Sequence, residues 1–257
     1  MRPWKELGAQ FIKIHPPYTW TLHRAVADEA RRQELPVVGH AMGLEEATKS
    51  VTQGFTTLEH HVRFYDDVHR LMAAAGTRLD PTLGAGGANR WLLRREPDRL
   101  GGEKLRAFLS EGWVRERVNG GGILRRLSGN RFRGRLMDRF ASIKRGHELG
   151  VTLLAGTDAP TQANFEGVSL HWELEHFVET GLAPLEVLRI ATQHAAEAVG
   201  AEDDLGTLEA GKLADIVVLD ANPLDDIRNT QTIWRVIKGG WVFDPEELRP
   251  PAMSNGN

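Results

Sequence analysis

Short apolar runs alternate with helix-like segments along this chain, and this alternation constrains the fold more than any other feature. It is typical of βαβ units and predicts an α/β protein with a parallel sheet. Four of the runs carry a potential metal ligand at or beside their end; they lie at residues 11–14, 36–40, 56–60 and 151–158. Because the carboxyl ends of parallel barrel strands open on one face, we expect these ligands to converge there.

The four potential ligands are Lys13, His40, His60 and Asp158. Imidazole and carboxylate groups bind divalent metals such as zinc. His60 is followed by His61, and neighbouring residues of a strand point to opposite faces, so only one of the two histidines can face the barrel mouth. No His-x-His pair occurs in the sequence, although such a pair would normally complete a metal site of this kind.

The order of the elements predicts five βα units, whereas a complete (β/α)8 barrel has eight. Helices are predicted at residues 19–35, 44–53, 67–75, 132–150 and 184–199, and a further strand at residues 77–83. The expected fold is a partial TIM-like barrel over residues 1–200. Turn residues separate short β runs at residues 216–219 and 234–238, so residues 201–257 are predicted to form part of a small β-sandwich and a tail.

Residues 84–131 form an insertion that is too long for an ordinary βα loop. The stretch from 85 to 150 is basic, with 16 Lys and Arg against 7 Asp and Glu. This charge is open to three interpretations: a cationic lid for an anionic substrate, a nucleic-acid surface, or the solvated faces of two or three amphipathic helices. No recognisable nucleic-acid motif accompanies the charge, so we favour the amphipathic helices.

The composition limits the classes of function. The net charge of −3 gives no overall attraction to nucleic acid or to an anionic membrane. The absence of cysteine excludes a disulfide, a thiolate nucleophile and a Cys-ligated zinc. No apolar run approaches the ~18 residues of a membrane-spanning helix, and the start lacks the features of a signal peptide. These observations predict a cytoplasmic protein.

Several segments resemble the strand-end signatures of the metal-dependent amidohydrolase superfamily, in its imidazolonepropionase-like and Xaa-Pro dipeptidase-like branch. They are residues 9–14 (AQFIKI), 39–41 (GHA), 58–60 (LEH) and 156–160 (GTDAP). Residues 206–220 (GTLEAGKLADIVVLD) are similar to the C-terminal sandwich segment of that family. The likeness extends over residues 8–62 and 150–245. As a combined pattern it is far more specific than any single motif.

The resemblance implies a role for each potential ligand. In that family a carboxylated lysine on strand four bridges two metals, and histidines on strands five and six hold one of them. An aspartate on strand eight binds the other metal and shuttles protons. These roles fall on Lys13, His40, His60 and Asp158. From their positions, His15, one residue past a strand end, and His171, after the last strand, are weaker candidates for substrate contact. The cofactor implied is one or two divalent ions, zinc first, with manganese and iron as alternatives.

The chain departs from the family at its front, because the family's His-x-His strand has no counterpart and the sequence opens just before the fourth strand. We therefore expect a metal-dependent hydrolase of a C–N bond in a small amide, cyclic amide or dipeptide, with no nucleic-acid or membrane partner. The alternative is an inactive fragment, or a subunit that needs another chain to complete the barrel. A homo-oligomer or a complementing chain is the expected protein partner.

Overall fold

The computed structural model describes residues 2–15, 19–40, 43–60, 63–119 and 130–249. These residues form two compact units. The first comprises residues 1–82 and 138–155, and the second comprises residues 83–137 and 156–257. The predicted division into a barrel and a sandwich at residue 200 stays a prediction. No helix among the described residues is both long enough and apolar enough to cross a bilayer.

The first unit is built on a parallel sheet of four strands, in the order β1-β2-β3-β4. The strands are β1 (Ile12–Ile14), β2 (Val37–His40), β3 (Thr57–Glu59) and β4 (Arg78–Asp80). Helices α1 (Arg2–Glu6), α2 (Trp20–Arg32), α3 (Leu44–Thr52) and α4 (Asp66–Ala75) precede or connect them. The register pairs His40 with Glu59 and Glu59 with Asp80, so polar side chains gather at the carboxyl ends of the strands.

Local sequence explains the ends of these helices. The Thr19 hydroxyl accepts a hydrogen bond from the Leu22 N–H at 3.3 Å and caps the start of α2. Gly76 ends α4 in the left-handed conformation, with φ of 69°, where a residue without Cβ is favoured. The sheet packs on α2 through a cluster of buried apolar side chains: Ile14, Ala27, Ala30, Val37 and Phe55. This packing fixes the strands that carry the candidate ligands.

Two sequence predictions for regular elements are wrong in detail. Residues 151–155 form no strand; they are extended, and a single parallel bridge joins Leu153 to Leu79 of β4. The helix predicted over residues 184–199 is two helices, α10 (Pro184–Ala191) and α11 (Gln193–Ala198), because Thr192 leaves the helical conformation with φ of −124° and ψ of −76°. In the first unit, the other four predicted strands correspond to β1, β2, β3 and β4, and the fifth corresponds to this single bridge.

The second unit contains the basic insertion and the β-rich tail. The described part of the insertion forms α5 (Asn89–Arg95), α6 (Glu103–Phe108) and α7 (Glu111–Asn119), and the interpretation of its charge stays a prediction. Helix α8 (Asn130–Glu148) begins in this unit and continues into the first, and α9 (Val168–Glu179) follows. The tail forms an antiparallel sheet of β5 (Ile216–Leu219), β6 (Ile233–Lys238) and β7 (Trp241–Phe243).

Buried apolar and ionic contacts hold the insertion in the second unit. Leu92, Leu105 and Val114 of its helices pack in one cluster with Phe165 and Trp172. Part of the positive charge is neutralised there, since both terminal nitrogens of the Arg99 guanidinium lie 2.7 Å from the Glu175 carboxylate oxygens. Two parallel N–H···O bonds of this kind hold a guanidinium in a defined orientation.

Candidate metal centre

Three imidazole rings lie side by side at the carboxyl ends of the first strands. His40 is the last residue of β2, and His60 directly follows β3. The centroids of these two rings are 4.0 Å apart. His15, which follows β1, is exposed and lies with its ring centroid 4.6 Å from that of His40. The structure therefore brings together both histidines predicted as ligands and one predicted as a substrate contact.

The His40 ring is neutral at pH 7 and has an unsatisfied nitrogen. Its Nδ1 atom is buried and has no hydrogen-bond partner among the residues that the structure describes. Burial lowers the pKa of His40 to about 4, and the neighbouring His60, His15 and Lys13 act in the same direction. Buried polar atoms are nearly always satisfied, so an orphaned one needs an explanation. A neutral imidazole with an available nitrogen is the form that binds a metal ion.

His60 is held by contacts to the end of the neighbouring strand. Its backbone adopts φ of 65°, and its N–H donates to the carbonyl oxygen of Asp80 at 2.8 Å. Its side-chain Nδ1 lies 2.6 Å from the hydroxyl oxygen of Thr82. His61, the other histidine of the adjacent pair, lies outside the described residues. The ring of His60 lies against that of His40 at the strand ends, and its role as a ligand stays a prediction.

Lys13 pairs with a carboxylate, that of Glu59, which was not among the predicted site residues. Its Nζ atom lies 3.7 Å from Oε2 of Glu59, and its side chain is 39% exposed. An ammonium group has no lone pair and cannot ligate a metal. Carboxylation would replace the cation by an anion and remove the attraction to Glu59. Lys13 thus lies beside the imidazoles but in a form that differs from the implied ligand.

Asp158 and His171 belong to the second unit. Asp158 is exposed, has φ of 53° and precedes the cis peptide bond between Ala159 and Pro160. His171, in α9, has its Nδ1 3.0 Å from the Thr230 hydroxyl oxygen. That hydroxyl donates its only hydrogen to the Ile227 carbonyl at 2.9 Å, so Nδ1 of His171 must be the donor of the pair. The roles implied for both residues stay predictions.

The side chains at the strand ends are of the chemical types that bind a divalent cation. They include two adjacent imidazoles, one with an orphaned buried nitrogen, and a lysine that could be carboxylated. Across the residues that the structure describes, no group of three His, Asp or Glu side chains is arranged to hold a metal ion. A tetrahedral catalytic zinc needs three protein ligands and a water. His40 and His60 would supply two of the three.

Three polar residues around these imidazoles were not predicted as site residues: Glu59, Asp80 and Thr82. Glu59 precedes His60. Asp80 ends β4 and Thr82 lies just beyond it, both within the strand predicted at residues 77–83. Their position in the sequence is the signal that could have identified them, since they lie at or just beyond the carboxyl ends of strands, as the histidines do. Only the register between neighbouring strands, which the sequence does not give, brings them together.

The sequence of the chain is similar to known hydrolases. The amidohydrolase family matches residues 8–242. The chain is 26% identical to ochratoxinase of Aspergillus niger over 232 residues, which cover 88% of the chain and 42% of that protein. It is 35% identical to imidazolonepropionase of Symbiobacterium thermophilum over 102 residues, or 38% of the chain and 21% of that protein.

The structure of the chain is also similar to solved structures of hydrolases. A Xaa-Pro dipeptidase with bound methionine has a TM-score of 0.71 and 25% identity, covering 95% of this chain and 56% of that one. The chain thus spans about half or less of the length of the relatives it matches. The parallel sheet with its helices is a TIM-barrel-like α/β fold. Because the family match covers nearly the whole sequence, the chain belongs to the amidohydrolase family.

Proposed function

We propose that this chain carries a metal centre of an amidohydrolase and takes part in hydrolysis of a C–N bond in a small amide, cyclic amide or dipeptide. The observation that carries the proposal is the pair of imidazoles at the strand ends. Their ring centroids are 4.0 Å apart, and the buried Nδ1 of His40 has no hydrogen-bond partner within the described ranges. The family membership and the names of the relatives, which include a dipeptidase, support the reaction class.

His40 and His60 would hold the cation, with Lys13 as a third ligand. The ion expected there is zinc first, with manganese and iron as alternatives, and it would supply polarisation of a carbonyl and easier ionisation of water at neutral pH. For Lys13 to serve, its neutral amine must add to the carbon of CO2 and lose a proton, which gives a carbamate anion. That step breaks the ion pair with Glu59, because both groups are then negative.

Asp158 would move the proton of the reaction. A carboxylate near the attacking water accepts its proton as a general base and then donates it to the leaving nitrogen as a general acid. This role follows from the family resemblance of residues 156–160. His15 and His171 remain candidates for contact with the substrate.

A second candidate is a subunit or inactive fragment that another polypeptide completes. Strand β1 has a single neighbour in the described sheet, and three apolar side chains near it are exposed: Trp4 (64%), Phe11 (50%) and Leu22 (54%). An open strand edge with apolar surroundings favours pairing with another strand. Closure of a barrel would then require strands from outside this sequence.

Metal content and turnover distinguish the two candidates. The chain is prepared metal-free, loaded with zinc or manganese, and assayed on a panel of dipeptides and cyclic amides. Bound metal with turnover that Asp158→Asn abolishes, while the metal is retained, supports the hydrolase. Bound metal without turnover supports the incomplete subunit, and co-expression with a candidate partner chain should then restore activity. A chain that binds no metal contradicts both versions of the metal centre.

A further inference from the structure

Thr82 lies just beyond β4 in an unfavourable backbone conformation. Its φ is +42°, and the residue is only 2% exposed. A β-branched residue at positive φ is an outlier, because its side chain crowds the backbone there. Such conformations persist only where the surroundings impose them, and they cluster at functional sites. The buried strain therefore calls for a contact that compensates it.

The contacts of Thr82 connect it to His60 through two routes. The Thr82 hydroxyl oxygen lies 2.6 Å from Nδ1 of His60. The Thr82 N–H donates to Oδ1 of Asp80 at 3.2 Å, and the carbonyl oxygen of the same Asp80 accepts from the His60 N–H at 2.8 Å. Asp80 thus fixes the backbone of His60 and the position of the threonine that contacts its ring.

Because of the geometry of imidazole, this contact limits which nitrogen of His60 can bind a metal ion. The two ring nitrogens lie on different edges of the ring, and Nδ1 of His60 is occupied by Thr82. Ligation of a cation by His60 would therefore go through Nε2, and Nδ1 would then carry a hydrogen that it donates to the hydroxyl. A ligating histidine characteristically donates its other N–H to an oxygen, which fixes both tautomer and orientation.

We propose that Thr82 is a positioning residue for the metal centre: its hydroxyl accepts from Nδ1–H of His60 and so directs Nε2 at a divalent cation. The inference rests on the proposed function, because it assumes that His60 is a ligand. It adds a residue that the sequence did not assign and a defined tautomer. The strain at Thr82 is maintained because the hydroxyl must reach the ring.

Metal affinity tests the role with a matched pair of threonines. Thr77 is also 2% exposed, and its hydroxyl donates to the Phe55 carbonyl at 2.8 Å, but it lies just before β4, at the other end of the strand. Thr82→Val and Thr77→Val each remove one buried hydroxyl and keep the branched shape. Zinc binding to the metal-free proteins is measured by competition with a chromophoric chelator, and Thr82→Ser tests rescue by a retained hydroxyl.

We expect Thr82→Val to weaken zinc binding about 10- to 100-fold, the loss typical of an outer partner of a metal ligand. Thr82→Ser and Thr77→Val should bind zinc as the wild type does. Equal affinity of Thr82→Val and wild type overturns the inference while leaving the proposed function intact. A wild type that binds no zinc overturns both.

The tautomer gives a second readout that does not depend on the folding of a variant. Nitrogen-15 NMR of the zinc-loaded wild type, with the His60 signals assigned through His60→Asn, should show a metal-bound Nε2 and a protonated Nδ1. A metal-bound Nδ1 on His60, or a Nδ1 that carries no hydrogen, overturns the inference.

Discussion

The side chain of His69 is fully buried between α4 and α8 without satisfying its polar atoms. Neither Nδ1 nor Nε2 has a hydrogen-bond partner in the described part of the chain. The ring packs edge-on against Phe64, and a Cβ at Gly146 of α8 would lie 3.0 Å from its Cδ2 atom. Two charged groups act on it: Asp66 from α4 and Arg145 from α8, which also pair with each other.

Burial lowers the pKa of His69 from its ordinary value of 6.5; Asp66 opposes the shift and Arg145 adds to it. The folded protein therefore keeps the ring neutral at pH values where the unfolded chain binds a proton. Because the folded pKa lies below the unfolded one, the associated stability is fully present above pH 6.5 and is lost as the pH falls below it. The loss is at most about 1.4 kcal/mol per pH unit between the two pKa values.

We predict that His69→Leu stabilises the protein, and more so in acid. Each buried, unsatisfied polar atom costs about 1–3 kcal/mol, and leucine removes both at similar volume with little strain. At pH 8 the free energy of unfolding of the variant should exceed that of the wild type by only about 1–2 kcal/mol, because some packing is lost when the ring is replaced. The gap should widen by up to about 1.4 kcal/mol for each pH unit below 6.5.

Urea denaturation followed by circular dichroism at pH 8, 7, 6 and 5 measures this difference in the free energy of unfolding. Other histidines that titrate on unfolding contribute equally to both proteins and cancel in the difference. The measurement at pH 8 is the internal control, since His69 is neutral there in both states. A gap that stays constant with pH, or a variant less stable than the wild type at pH 8, refutes the reasoning.

Two further predictions concern packing and charge. Gly39→Ala places a Cβ 2.5 Å from the ring of buried Phe55. It should cost about 1–3 kcal/mol in urea denaturation, and the further change Phe55→Leu should recover part of the loss; an unchanged midpoint contradicts the close packing. Burial opposes ionisation of Glu179, but hydrogen bonds from His176 and Arg95 outweigh it and lower the pKa from 4.5 to about 2. Its stabilisation is therefore present above pH 4.5 and lost as the pH falls toward 2, so Glu179→Gln should be less stable by about 1 kcal/mol at pH 7, a value reduced for solvent screening. That difference should shrink in acid, and a difference that grows there contradicts the assignment.

Strands could be predicted where the residues of an apolar run also pair with a neighbouring strand along most of their length. The run at residues 216–219 coincides with β5, and the run at 36–40 contains β2. The run at 151–155 is extended, and its backbone bonds on both sides of Leu79: the Leu79 N–H donates to the Thr152 carbonyl, and the Leu154 N–H donates to the Leu79 carbonyl. Periodicity indicates an extended run but not how many of its residues find a partner.

The break within the predicted helix at 184–199 has a local cause. Thr192 turns its hydroxyl back to the Leu188 carbonyl at 2.8 Å and leaves the helical conformation. A threonine that bonds to the backbone in this way is known to bend helices. Threonine occurs inside many unbroken helices, so the pattern of apolar residues alone gave no reason to end one there.

In the candidate site, too, some residues could be predicted from the sequence and others could not. His40 and His60 were predictable because a strand end and a ligand type coincide in the sequence. Glu59 was not, because its contact with Lys13 depends on strands β1 and β3, which lie on either side of β2. Thr82 was not, because its contact with His60 depends on a positive φ that no residue preference for threonine would suggest.

The central claim is that His40 and His60 hold a divalent cation. Calorimetric titration of the metal-free chain with zinc tests it, with His40→Phe and His60→Asn as variants and His194→Gln, in the second unit, as the control. We predict one zinc per chain for the wild type and the control, and binding at least about tenfold weaker for both variants, the smallest loss expected even for an outer partner. Zinc binding that neither variant weakens, or no binding to the wild type, would contradict the account.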